Sequence, residues 1–175
     1  MFLLLNIFET AIRSKCAVEL SLKYSSSNCD DWLHNTTLTP KKMKKPLEEA
    51  TKKILQDGET INNLDSFEIF DYIMLGQLQS LYIDFWKDLS HLFEVKTVNG
   101  YNFPKIGKRT FEKLFEDIRK VRNDNAHHKP FHRTRPRRHK IIEDVELILL
   151  HIGFNLKEAI NNIDSEHKII KLKYL

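Results

Sequence analysis

Two cysteines in 175 residues are too few, and too far apart, for a disulfide framework or a closely spaced zinc-binding pair. Cys16 falls on a helical stripe and Cys29 in a polar stretch, so a reducing cytoplasm is the simplest setting. No apolar run reaches the ~18 residues that span a bilayer. The opening MFLLLNIF has no basic region before it and no small-residue cleavage site after it, and Glu9 follows at once. It reads as the start of a helix and not as a signal peptide. Alternating strand patterns and internal repeats are absent too, which leaves helices to build the core. A composition of 41% hydrophobic and 30% charged residues excludes a disordered chain and an integral membrane chain. The length suits one domain, expected over residues 1–165 with a C-terminal tail at 166–175.

What is present has the helical period. Leu4, Phe8, Ile12, Cys16 and Leu20 form a stripe, with Glu9 and Arg13 four apart on the neighbouring face. A second helix is expected near Pro46, through Leu47, Ala50, Ile54 and Leu55, stopping at Asp57-Gly58. A third opens at Asp65-Ser66, where Glu68 is placed for a capping box, and carries apolar residues from Phe70 to Phe93. Gly76 inside it marks a weak point or a close contact. Asn99-Gly100 and Phe103-Pro104 read as loop. A fourth helix runs from about Lys108 with Phe111, Leu114, Phe115 and Ile118 inward, and a last one from near Arg138 to Ile163. The fold class is all-α, a bundle of about five helices.

Acid is missing where base is densest. Residues 129–140 hold Lys129, Arg133, Arg135, Arg137, Arg138 and Lys140 and not one carboxylate. Such a patch suits a polyanion; as a charge run it is equally a solvated loop. Just before it lies VRNDNAHHKPF. Helical spacing carries the stripe Phe111, Phe115, Ile118 on to Arg122, so this arginine emerges from the apolar side. His127 is five residues on, about 140° around an unbroken helix. The two act together on one helix only if it ends between them, and Asn123, Asp124 and Asn125 are poor helix formers. An arginine and a histidine beside a basic groove suffice to cleave RNA without a metal. The 2′-hydroxyl is the nucleophile, the imidazole moves protons near neutral pH, and the guanidinium stabilises charge on the phosphate. Asn123 is placed to orient the histidine or the phosphate.

The stretch RNDNAH at Arg122–His127 resembles the Arg-Asn-x-x-x-His signature of the HEPN superfamily of helical-bundle ribonucleases. By this chain's composition that spacing is expected about 0.03 times, so chance is a poor explanation. IFETAIRSK at 7–15 is similar to the first-helix Glu-x-x-x-Arg of the Abi-like branch, the AbiD/AbiF abortive-infection proteins of bacteria. FDYIMLGQLQSLY at 70–82 is similar to its Phe-Gly-x-Leu-x-x-Leu-Tyr segment, with Leu75 in place of the usual phenylalanine. The family usually carries a further portion before the Glu-x-x-x-Arg helix. The resemblance implies a HEPN-like bundle in the bacterial cytoplasm and a metal-independent endoribonuclease. It also implies a homodimer in which two motifs line one composite cleft, with Arg122, His127 and Asn123 as site residues. The RNA-binding residues are then His128, Lys129, Arg133, Arg135, Arg137, Arg138 and Lys140, and an inhibitory RNA or antitoxin is an expected partner. No cofactor and no metal are expected.

Rival readings remain. His128 and His132 have metal-like spacing, but no cysteine pair anchors a zinc. Phe131 suits a base stack or plain packing. The lysines at 41, 42, 44 and 45 read as a solvated helix start, and Trp32 and Trp86 as core. The alternative function is a non-catalytic RNA-binding or antitoxin-like module using the same loop. A dimerisation partner working through a separate nucleotidyltransferase is also compatible.

Overall fold

The stripe from Leu4 to Leu20 folds as one helix, α1 (Phe2–Tyr24), in the computed structural model, which describes residues 2–26, 29–98, 100–127, 135–161 and 173. The architecture is mostly helical, with seven further helices and one two-stranded sheet among the described residues. The expected tail lies outside them except for Lys173. None of the described helices is long and apolar enough to cross a membrane. The chain forms two compact units, one of residues 12–89 and one of residues 1–11 with 90–175. Each receives part of α1.

In the first of these, α2 (Lys44–Gln56) buries Ala50 and Ile54 and leaves Leu55 exposed. The long helix expected over 65–93 is instead three, α3 (Ser66–Asp71), α4 (Leu75–Asp84) and α5 (Trp86–Leu89), and the 3-10 turn at Ser90–Phe93 belongs to the other unit. Asp65 and Glu68 do form the capping box, each bond 2.8 Å. The break falls at Tyr72–Met74, ahead of Gly76, because its backbone groups find other partners. Lys53 donates to the Tyr72 carbonyl (3.3 Å), Arg13 to that of Ile73 (3.4 Å), and the Met74 N–H to Gln77 Oε1 (2.8 Å). These satisfy the orphan groups that a helix end exposes. The break also lets Ile73 and Leu75 both enter the core. Trp32 is fully buried, its Nε1 donating to Ser21 Oγ at 2.9 Å; Trp86 is only half-buried.

The other unit carries the motif. Its core is an aromatic chain: Phe8 meets Phe115 edge-on at 5.4 Å, Phe115 meets Phe111 at 5.5 Å, and Phe111 meets Phe93 at 4.7 Å. Phe111 and Phe115 come from α6 (Lys108–Ala126). α6 packs on α7 (Arg135–His151), which is followed by α8 (Leu156–Asn161). The helix expected to continue to Ile163 ends earlier because Gly153 is left-handed, with φ +77°. The Gly153 N–H bonds Leu150 O and the Phe154 N–H bonds Leu149 O, a Schellman stop. Ile163 lies outside the described residues. Two strands, β1 (Lys96–Val98) and β2 (Tyr101–Phe103), pair antiparallel with Lys96 opposite Phe103, where a loop was expected; Asn99 lies outside the described residues. Strands of three residues are too short for alternation to register, but Gly100, at φ +80°, is the turn signal that was there to be read.

Candidate active site

α6 places Arg122 where the stripe predicts. Phe111, Phe115, Ile118 and Val121 are buried, and one step on the Arg122 side chain is 37% exposed, its Nε donating to Glu9 Oε2 at 3.1 Å. Glu9, 13% exposed, follows Phe8 on α1, so the Phe8–Phe115 contact sets the carboxylate beside the arginine. No hydrogen bond holds the terminal Nη groups among the described residues. The guanidinium is therefore fixed at one end and open at the other. The open end leaves donors from which an anion can accept.

The helix does not end between Arg122 and His127. It runs through Asn123, Asp124 and Asn125 to Ala126, and His127 is the capping residue, exposed, its N–H on Asn123 O at 3.0 Å. Three poor helix formers cost at most ~0.7 kcal/mol each, and buried Val121 with the Glu9–Arg122 pair holds this last turn in place. Arg122 and His127 thus leave α6 about 140° apart and about 7.5 Å along its axis. The structure brings Arg122 to Glu9, keeps Asn123 half-buried between the two motif residues, and turns His127 to another side.

His128, Lys129 and Arg133 lie outside the described residues, as do Phe131 and His132. Arg135 opens α7, and Arg137, Arg138 and Lys140 are exposed in its first turns, with no acid among them. Arg137 and Arg138, in the first turn, stand at the positive end of the helix, an unfavourable placement that a bound anion would offset. Among the described residues no group of three or more His, Cys, Asp or Glu could hold a metal. Cys16 is buried and Cys29 exposed, both free.

Three features escaped the sequence. One is the partnership of Glu9 with Arg122: Glu9 itself was visible as an acid flanking a buried stripe and as the start of Glu-x-x-x-Arg, but nothing tied it to position 122. Asp144 on α7 is buried, and its carboxyl is pushed above the usual range by that burial, with Asp117 and Glu143 adding to the push and Lys140 opposing it. His151, at the end of α7, is fully buried between Phe93 and Phe103, both ring centroids at 6.2 Å. Among the described residues neither ring nitrogen finds a hydrogen bond of good geometry. Burial lowers its pKa first, then the charge of Lys96, which donates to the His151 carbonyl; the Glu94 backbone opposes the shift. Unfolded, this imidazole takes up a proton near ~6.5; folded, it does so only at lower pH. In between, the unfolded chain holds more protons, so stability is full above that range and is lost as pH falls through it. His151→Phe is expected to shrink the drop in melting midpoint between about pH 7 and about pH 5. An unchanged drop would place the acid sensitivity elsewhere.

No family model, curated protein or solved structure matches the chain.

Proposed function

We propose that the protein is a metal-independent endoribonuclease of the HEPN type, from a bacterial abortive-infection or toxin system. The observation that carries this reading is the Arg122 guanidinium, clamped through Nε by Glu9 and presenting its remaining donors beside the motif histidine's helix end. His127 removes the proton from a ribose 2′-hydroxyl, and the oxygen attacks the adjacent phosphorus. Arg122 stabilises the charge that builds on the phosphoryl oxygens. The bond from phosphorus to the 5′-oxygen breaks and that oxygen takes a proton from water, giving a 2′,3′-cyclic phosphate end and a 5′-hydroxyl end, while the proton on His127 returns to solvent. Arg137, Arg138 and Lys140, exposed on α7, hold the strand by its phosphates.

Because α6 is unbroken, the histidine that serves a given Arg122 comes from a second copy, and the working unit is a homodimer with a composite cleft. An inhibitory RNA or antitoxin restrains it. The same divergence of Arg122 from His127 favours one alternative, a non-catalytic RNA-binding or antitoxin-like module that needs only the cations. Structured and single-stranded RNA incubated with the purified protein in EDTA decides between them. Fragments ending in cyclic phosphate are expected. Binding with no cleavage under any condition would leave the module.

A further inference from the structure

One turn before Arg122 on α6 stands Arg119, half-buried. Its Nε is closed off from solvent and meets no acceptor, and its side chain makes no hydrogen bond or ion pair among the described residues. Glu116, three residues back, feels this guanidinium electrostatically but pairs with Lys120 at 2.7 Å. Three helical steps set positions 119 and 122 about 60° apart and about 4.5 Å along the axis, so the two are neighbours on one face. Arg122 engages Glu9 through Nε alone. Two adjacent guanidinium groups with unused donors repel each other, and a charged N–H withdrawn from water without an acceptor is unfavourable. A phosphate placed against them removes both penalties, since its oxygens accept from planar guanidinium forks in pairs.

We propose that Arg119 is a second phosphate-binding residue of the candidate active site, gripping the RNA strand next to the phosphodiester that Arg122 contacts. The identity of the ligand rests on the ribonuclease reading; the site itself rests on the unused donors of α6. Arg119 does not touch the reacting atoms, so it contributes affinity and not turnover. Among the described residues nothing depends on its guanidinium for a hydrogen bond. Replacing it with an uncharged side chain of similar length therefore leaves the fold as stable or more so.

The test uses the full chain and a short fluorescent single-stranded RNA with 2′-O-methyl riboses, which cannot be cleaved. Arg119→Gln is expected to weaken binding about tenfold, to lower the slope of log affinity against log salt by about 0.7, and to keep or raise the melting midpoint. Arg119→Lys keeps the slope and recovers part of the affinity, because it retains charge but not the fork. On ordinary RNA, Arg119→Gln raises KM and leaves kcat near wild type. Unchanged affinity and slope, or an Arg119→Gln chain that cannot fold, overturns the proposal. A wild-type protein that binds no RNA overturns both proposals. Binding that depends on Arg119, in a protein that never cleaves ordinary RNA, overturns only the nuclease.

Discussion

Replacing Arg122 with alanine is expected to slow RNA cleavage by ~10³-fold, the scale on which an arginine that stabilises a transferring phosphoryl group acts. His127→Ala is expected to do the same through the lost proton transfer. The more informative result comes from mixing the two inactive proteins. If each cleft takes its arginine from one copy and its histidine from the other, half of the re-formed dimers are mixed. Each mixed dimer keeps one complete cleft, so activity should return to about a quarter of wild type. If both residues of a cleft come from the same copy, every cleft in the mixture lacks one of them and nothing returns. The unbroken course of α6 from Lys108 to Ala126 is the reason to expect the first outcome. Arg122→Lys separates charge from shape: an ammonium keeps the charge without the two-pronged donor set, and partial activity is expected. Circular dichroism on each variant checks that the helices persist, since Arg122→Ala also deprives Glu9 of the donor at 3.1 Å.

The sequence made the helices legible wherever a stripe ran without interruption. The stripe from Leu4 to Leu20 and Phe111, Phe115 and Ile118 are buried as their spacing requires, with Leu114 only half-buried, and the same spacing put Arg122 at the edge of the core. What spacing could not show was how helix ends are satisfied. The break at Tyr72–Met74 depends on Lys53 and Arg13, both distant in sequence, and propensity in a local window has no access to them. The stop at Gly153 was locally encoded, but a lone glycine in a helical pattern has two meanings, and only its left-handed φ selects one. The site divides in the same way. The residue types of the motif and the cations of α7 are visible in one dimension. The clamp between Glu9 and Arg122 spans 113 positions; Glu9 was visible as an acid beside an apolar stripe and in Glu-x-x-x-Arg, but neither pattern names Arg122 as its partner. The weakness of Asn123, Asp124 and Asn125 as helix formers pointed to an early end of α6, and tertiary anchoring overrode it.

That anchoring can itself be measured. Phe115 is fully buried and touches Phe8 on one side and Phe111 on the other, so Phe115→Ala is expected to cost about 3–5 kcal/mol and to lower the melting midpoint by about 10 °C. Phe111→Ala removes an equally buried ring and should destabilise by a similar amount, yet the two losses differ in what they release. Phe115 holds Phe8, and the next residue on α1 is the carboxylate that aims Arg122. Phe111 joins Phe115 to Phe93 and lies about three turns before Arg122, where Phe115 lies about two. At a temperature where both variants are fully folded, Phe115→Ala should therefore lose cleavage rate while Phe111→Ala keeps it. Equal rates in the two variants would mean that Glu9 keeps its place without the Phe8 contact, and that the aim of Arg122 is set by its own helix.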